Sequence, residues 1–387
     1  MGKSQDQVAA ERMTAVRPVW SGLALAREAL DLTDRTLLHA GPPFPDQHDL
    51  PMPVLNSAVH AAMFEGWAED AASARALIAR GEITLLPAQG RRACAPLAAI
   101  ISPSMWLQVV EDEAAPSRRA YSPINTGTAP PLPHGGADDP AAIERLRFVA
   151  DEIAPALDDA LSDPIALLPV IDASLRGGDD CHGMTGIGSG LICERLADGR
   201  NGADKRLLAF LDEAPGYFLF LMMAAAKVMM MAAEGVEDAA IVTTAGGNGR
   251  QFGVCLASRP DHWITADCLP PAGTVPDHAR ALGAIGDSAV IDALGFGGLA
   301  LGCAPTLLEM LTDHAPKDAT ALPGLLLKTA HPALLDGRCR FALNARQVVE
   351  TGRAPLNVLG ILDAEGKAGI IGRGLFGAPV ALFANAL

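Results

Sequence analysis

The segment Tyr217 to Val236 (YFLFLMMAAAKVMMMAAEGV) constrains this chain more than any other. It is long enough to cross a bilayer, yet Lys227 stands at its middle and Glu234 near its end. A lysine at the centre of a membrane helix costs roughly 2.5–3.5 kcal/mol, and Ala and Met drive insertion only weakly. The run therefore reads as a core helix, apolar on every face because other elements surround it. Lys227 is then expected in a protein interior or cleft. With 387 residues, half of them apolar, the chain exceeds one ordinary hydrophobic core, and two or three domains are expected.

The pattern along the chain divides it into three. Residues 1–35 read as an amphipathic helical lead-in, 54–80 as helix closed by Gly81, and Ile83 to Pro87 as a short strand. A Pro/Gly-rich stretch, Ser122 to Gly136, marks the first boundary. Asp139-Pro140 and Asp163-Pro164 are helix starts, and apolar residues at helical spacing follow each. Residues 184–197 and 206–235 continue the pattern, so 139–235 is expected to be a mostly helical subdomain. Beyond it, Ala239 to Thr244 and Phe252 to Ala257 read as strands joined through Gly246-Gly247-Asn248-Gly249, a hairpin signal. Asp287-Ser288 and Asn344 can cap helices, and 299–312 reads as another helix. Strands are expected at 356–362, 368–372 and 379–384. The fold class is α+β and multidomain: an α/β part over 1–138, a helical subdomain over 139–235, and an α/β domain over 236–387.

Charge and motifs exclude several functions. The formal net charge is −15, and basic residues form no run longer than pairs such as Arg91-Arg92 and Arg118-Arg119, so nucleic acid and anionic membranes are poor partners. A small anionic substrate needs only a few local arginines. Seven widely spaced cysteines without a C-x-x-C pattern read as reduced thiols, and the N-terminus lacks an apolar signal region, so a cytoplasmic protein is expected. The nine histidines show no metal-ligand spacing. There is no G-x-S-x-G elbow, no phosphate-binding P-loop and no dinucleotide fingerprint. No metal and no cofactor is called for.

Three clusters remain. In Gly246-Gly247-Asn248-Gly249-Arg250 a turn presents backbone N–H groups, and Arg250 offers a fork for a carboxylate or phosphate. An ordinary hairpin with a solvated arginine accounts for the same residues. Gly286-Asp287-Ser288 opens a helix whose N-terminus can hold an anion, or is a plain cap. Gly178-Asp179-Asp180-Cys181-His182 sets carboxylates beside a histidine that can act as acid or base, or is a charged interhelical loop.

In order along the chain, HAGPP (His39–Pro43), ISPSM (Ile101–Met105), GDDCH (Gly178–His182), NGRQFG (Asn248–Gly253), GDSAVIDALGFGGLALGCAP (Gly286–Pro305) and the glycine-rich end around Gly369–Gly374 resemble the AllG family, which supplies a subunit of oxamate carbamoyltransferase. The resemblance runs from about His39 to the C-terminus. It implies carbamoyl transfer between a ureido acid such as oxalurate and phosphate, giving an amide such as oxamate and carbamoyl phosphate. It also implies FdrA-like and AllH-like partner subunits in a homo- or hetero-oligomer. On this reading His182, Asp287 and Asp179 are the catalytic candidates. Asn248, Gly249, Arg250, Gly286, Ser288, Ser102, Ser104, His39 and Asn125 are the substrate-binding candidates. Asn248-Gly249-Arg250 and Gly286-Asp287-Ser288 are expected to share one anion-holding cleft, with His182 or Asp287 as proton donor. The chain departs from the family at Gly247 and Met184, where arginine is usual, and in the stretch Asn125-Thr126-Gly127-Thr128-Ala129. A non-catalytic structural subunit and a metal-independent amide hydrolase are the competing readings.

Overall fold

The computed structural model describes residues 2–127 and 133–387. The helix Tyr217–Met231 lies at its centre, with Tyr217, Phe218 and every residue from Phe220 to Met230 buried. It packs against the strands Pro18–Leu25, Trp106–Asp112, Ala115–Pro123 and Val242–Asn248 and the helix Ala289–Leu294. Lys227 is buried here. Its ammonium donates to Thr244 Oγ1 at 3.0 Å, to the Thr243 carbonyl at 3.2 Å and to Glu234 Oε1 at 3.2 Å. All three ammonium donors are thus used, which is what a buried lysine requires. Among the described residues no single helix is long and apolar enough to cross a membrane.

The architecture is α+β, with α/β parts on either side of a helical middle. The N-terminal part holds an antiparallel sheet in the order Ala115–Pro123, Trp106–Asp112, Pro18–Leu25, Ile165–Ala166. Beside it a parallel pair, Thr36–His39 with Thr84–Pro87, is connected through the helices Met52–Phe64 and Ala71–Ala79. The middle runs through helices Ala141–Phe148, Ala154–Ala160, Leu167–Gly177, Gly186–Ala197, Lys205–Asp212 and Tyr217–Met231. A single π-helical turn, Val149–Ile153, joins the first two, and Ile165–Ala166 pairs with Val19 and Trp20 of the N-terminal sheet. The C-terminal part holds the sheet Ile285–Gly286, Val242–Asn248, Gln251–Leu256, Arg259–Asp267 and the three-stranded sheet Ala272–Thr274, Ile370–Gly377, Leu356–Leu362. One apolar cluster runs from Ala9 through the middle helices to Phe383, so the helical segment shares its core with both neighbours.

Local departures from the expected elements have local causes. The lead-in is a helix, Gln5–Ala15, followed by the strand Pro18–Leu25, whose Val19 and Trp20 are buried in the sheet. The helical stretch expected over 54–80 is two helices, parted at Gly66 with φ +71 and restarted by the capping box of Asp70 and Ser73. Residues 299–312 form 3-10 turns and the short helix Pro305–Met310. The expected last strand is the helix Val380–Ala386, which packs on helix Ala345–Thr351 through one apolar face.

Burial also sets a pH response. Burial pushes His39, His134 and His331 down to about 4 each, so they stay neutral in the fold. In the unfolded chain histidine titrates near 6.5. Between these values the unfolded chain binds three more protons at these sites, and stability falls as pH falls. Asp287, which burial raises to about 7, opposes this, as do Asp179 and Asp180, which burial also raises, while His60, lowered by burial, adds to it. The net expectation is a loss of roughly 1–3 kcal/mol per pH unit between about pH 6 and 5. Urea unfolding midpoints at pH 7, 6 and 5 check it, and equal midpoints would refute it.

Candidate functional site

The GDDCH loop is built to deliver one side chain. Helix Leu167–Gly177 ends on Gly178 at φ +103, and Cys181 holds φ +65, a costly conformation for a residue with a side chain. Asp179 Oδ2 accepts the Ile187 N–H at 2.8 Å and so caps the next helix, Gly186–Ala197. Asp180 accepts the N–H groups of Gly183 and Met184 at 2.8 and 2.6 Å, and its carbonyl receives the Gly297 N–H at 2.9 Å. With both acids and Cys181 committed inward, His182 lies on the wall of a cleft of about 500 Å³.

That cleft is floored by the hairpin of Leu356–Leu362 and Ile370–Gly377 and walled by Leu97, Leu219 and Phe220. Asn125, Ser288, His134 and Arg373 also line it. Asn125 Oδ1 accepts the Gly127 N–H at 2.9 Å, and among the described residues its amide N–H groups have no partner, which leaves them for a ligand. His134 meets Thr126 Oγ1 at 3.1 Å through Nδ1 and stays neutral through burial. Arg373 is exposed, its guanidinium has no hydrogen bond or ion pair among the described residues, and it stands opposite Gly360 in the ladder. His182 donates from Nδ1 to Asp292 Oδ2 at 2.7 Å. The carboxylate can only accept, so the ring proton belongs to Nδ1 whenever the imidazole is neutral. The cleft therefore offers a cationic fork, amide and hydroxyl donors, and an oriented imidazole between apolar walls. That set can hold a small anion and move a proton.

Of the residues expected from sequence, the structure brings His182, Asn125 and Ser288 to this cleft. Arg250 is elsewhere, and the single shared cleft is corrected. Its guanidinium pairs with Asp49 at 2.7 Å in a depression that Asp46 and Asp267 also line, so the local field opposes an anion. Asn248 is buried within the turn, with Oδ1 accepting the N–H groups of Arg250 and Gln251 and Nδ2 bound to the Pro42 carbonyl. Gly249, at φ +85, serves the two-residue hairpin loop. Asp287 is fully enclosed. Its carboxylate accepts the N–H groups of Gly41 and Ala95, each at 2.9 Å, and Gln89 Nε2 at 2.6 Å. It cannot reach a ligand as a proton donor. Gly286 packs against the Leu97 backbone, and the helix after it, Ala289–Leu294, is too short for a useful dipole. Ser102 and Ser104 spend their hydroxyls on Glu65 at 2.6 and 2.8 Å. His39 is buried against Phe44, bonding the Ala40 carbonyl at 2.8 Å. Thr128 and Ala129 lie outside the described residues.

Sequence reasoning missed Arg373, His134 and Asp292. Asp292 left a trace, a lone carboxylate inside the apolar run AVIDALGFGGL. Arg373 left none beyond its place in a glycine-rich strand. A neighbouring recess of about 50 Å³ shares His134 and Phe220 with the cleft, but no charged side chain lines it.

The family model described as oxamate carbamoyltransferase subunit AllG matches residues 83–288. The Escherichia coli (strain K12) oxamate carbamoyltransferase subunit AllG is 32% identical over 400 residues, covering 97% of this chain and 94% of that protein. The protein YahG of the same organism is 28% identical over 404 residues, covering 99% and 84%. A crystal structure of a conserved protein of unknown function from Enterococcus faecalis V583 matches with a TM-score of 0.92 and 27% identity, covering 99% of this chain and 96% of that one.

Proposed function

The chain belongs to the AllG family, and we propose that it is a carbamoyltransferase-type subunit whose cleft takes a ureido acid, with phosphate and carbamoyl phosphate as co-substrates. The observation that carries this reading is the convergence of Arg373, Asn125 and the His182–Asp292 pair on one cleft. A phosphate oxygen attacks the ureido carbonyl carbon, and the bond from that carbon to the amide-side nitrogen breaks. The departing nitrogen takes a proton and leaves as the amide, and the carbamoyl group leaves on phosphate. Arg373 supplies the fork for a carboxylate or phosphate, and Asn125 a donor for the carbonyl oxygen as charge develops. His182, its Nδ1 proton fixed by Asp292, handles the proton at Nε2. FdrA-like and AllH-like subunits are the expected partners, and the cleft mouth, with Met310 exposed at its rim, is open to them.

The deciding assay follows breakdown of oxalurate with and without phosphate, using the chain alone and co-expressed with the partner subunits. Phosphate-dependent release of an amide and carbamoyl phosphate supports transfer. Breakdown independent of phosphate would replace transfer with hydrolysis, and the absence of turnover with every subunit present would leave a structural subunit. Arg373→Ala is expected to weaken binding of oxalurate or inorganic phosphate by about 10–100-fold, the weight of a charge-assisted bond. Calorimetric titration reads this directly, and an unchanged affinity would remove Arg373 from the site.

A further inference from the structure

Asp292 is buried in the short helix Ala289–Leu294, and every contact of its carboxylate has a direction. Oδ1 accepts two backbone donors, the N–H of Gly298 at 2.7 Å and that of Val358 at 3.1 Å. Oδ2 accepts His182 Nδ1 at 2.7 Å. Gly297, at φ +55, follows the helix with no room for a side chain, since a Cβ there would overlap Asp292 Oδ1 and crowd His182. Its N–H in turn holds the Asp180 carbonyl of the loop that carries His182. The glycine-rich turn thus clamps acid and histidine together from both sides, and Val358 belongs to the strand that floors the cleft.

We propose that Asp292 is a positioning residue: it holds His182 with the proton on Nδ1 and the lone pair of Nε2 turned into the cleft, where a proton is exchanged with the reacting group. This rests on the reading of the cleft as a site of carbamoyl transfer. Asp292 does not touch the substrate and acts only through His182. Its two backbone donors fix which oxygen faces His182, and the bond to Nδ1 fixes which ring nitrogen stays basic.

The same geometry dictates what asparagine does in its place. The two donors on Oδ1 demand an acceptor, so the amide oxygen of Asp292→Asn stays with Gly298 and Val358. The NH₂ group then takes the place of Oδ2 and donates to His182 Nδ1. The imidazole must move its proton to Nε2 and lose its basic atom on the cleft side. The test is a long-range nitrogen–proton NMR spectrum of the full chain with ¹⁵N-labelled histidine at pH 8.5, which distinguishes the two neutral tautomers without any substrate. The wild-type chain is expected to show His182 protonated on Nδ1, and Asp292→Asn to show it protonated on Nε2. In the assembled enzyme the same variant is expected to lower kcat by roughly tenfold or more with KM little changed. A wild-type His182 protonated on Nε2 overturns the proposal even if the variant fails to fold. An unchanged tautomer in a folded variant overturns it as well. A tautomer switch in a protein that turns over no ureido acid leaves Asp292 as the positioning residue and removes the transferase reading instead.

Discussion

Replacing Asp287 by alanine is expected to lower the stability of the fold by about 3–5 kcal/mol. The carboxylate is wholly enclosed and gathers donors from segments far apart in sequence: Gly41 after the parallel strand Thr36–His39, Gln89 in the turn after its partner, and Ala95. Gln89 also binds the Ala245 carbonyl at 2.8 Å. Gly41, at φ +77, has its backbone against that of Gly247, so a side chain there would overlap the sheet. Asp287 therefore ties the N-terminal part to the C-terminal sheet, and alanine leaves three donors without an acceptor in a site closed to water. Asparagine recovers only part of this. Its oxygen satisfies one side of the group, and its NH₂ then faces an N–H. Urea unfolding should place Asp287→Ala lowest and Asp287→Asn between it and the wild type. Were Asp287 a catalytic acid instead, Asp287→Asn would abolish turnover with an unchanged unfolding midpoint, and that result would reinstate it in the site.

Asp287 also shows what the sequence can and cannot disclose. The central helix was legible because thirteen of its fifteen residues are buried, and a run apolar on every face has no other soluble explanation. The hairpin at Asn248-Gly249 was legible because a two-residue loop needs a positive φ, which glycine supplies. The cap at Asn344 follows rules confined to a few neighbouring residues. What a polar side chain points at is not local. Asp287 and Ser288 are adjacent, yet one faces the interior and the other lines the cleft. Arg250 and Arg373 are both strand-end or strand arginines among glycines, and only the fold places three carboxylates around the first and none among the cleft-lining residues around the second. The family's usual arginine at position 247 is an instance of the same kind. Here a Cβ would overlap the Ala284 carbonyl across the ladder, so glycine is what the close pairing of these strands accepts.

Substituting His182 is expected to reduce turnover by about 10²–10⁴-fold while KM changes little, because in the proposed reaction binding is assigned to Arg373 and Asn125 of the cleft and the histidine acts only when a proton moves. Alanine is the blunter probe. It removes Nε2 from the cleft and also strips Asp292 Oδ2 of its partner, leaving a buried carboxylate oxygen unpaired and adding a stability loss of about 1–3 kcal/mol. Asparagine separates the two effects. Its amide nitrogen occupies roughly the position of Nδ1 and can donate to Asp292, so the clamp at Gly297-Gly298 is kept, but nothing replaces Nε2. His182→Asn should therefore unfold near the wild-type midpoint and still show the full loss in kcat. Steady-state kinetics in the assembled enzyme, set beside urea unfolding of each variant, gives both quantities. If His182→Asn turns over a ureido acid at the wild-type rate, the proton travels by another group in the cleft. Neutral His134 is then the residue whose position would let it serve.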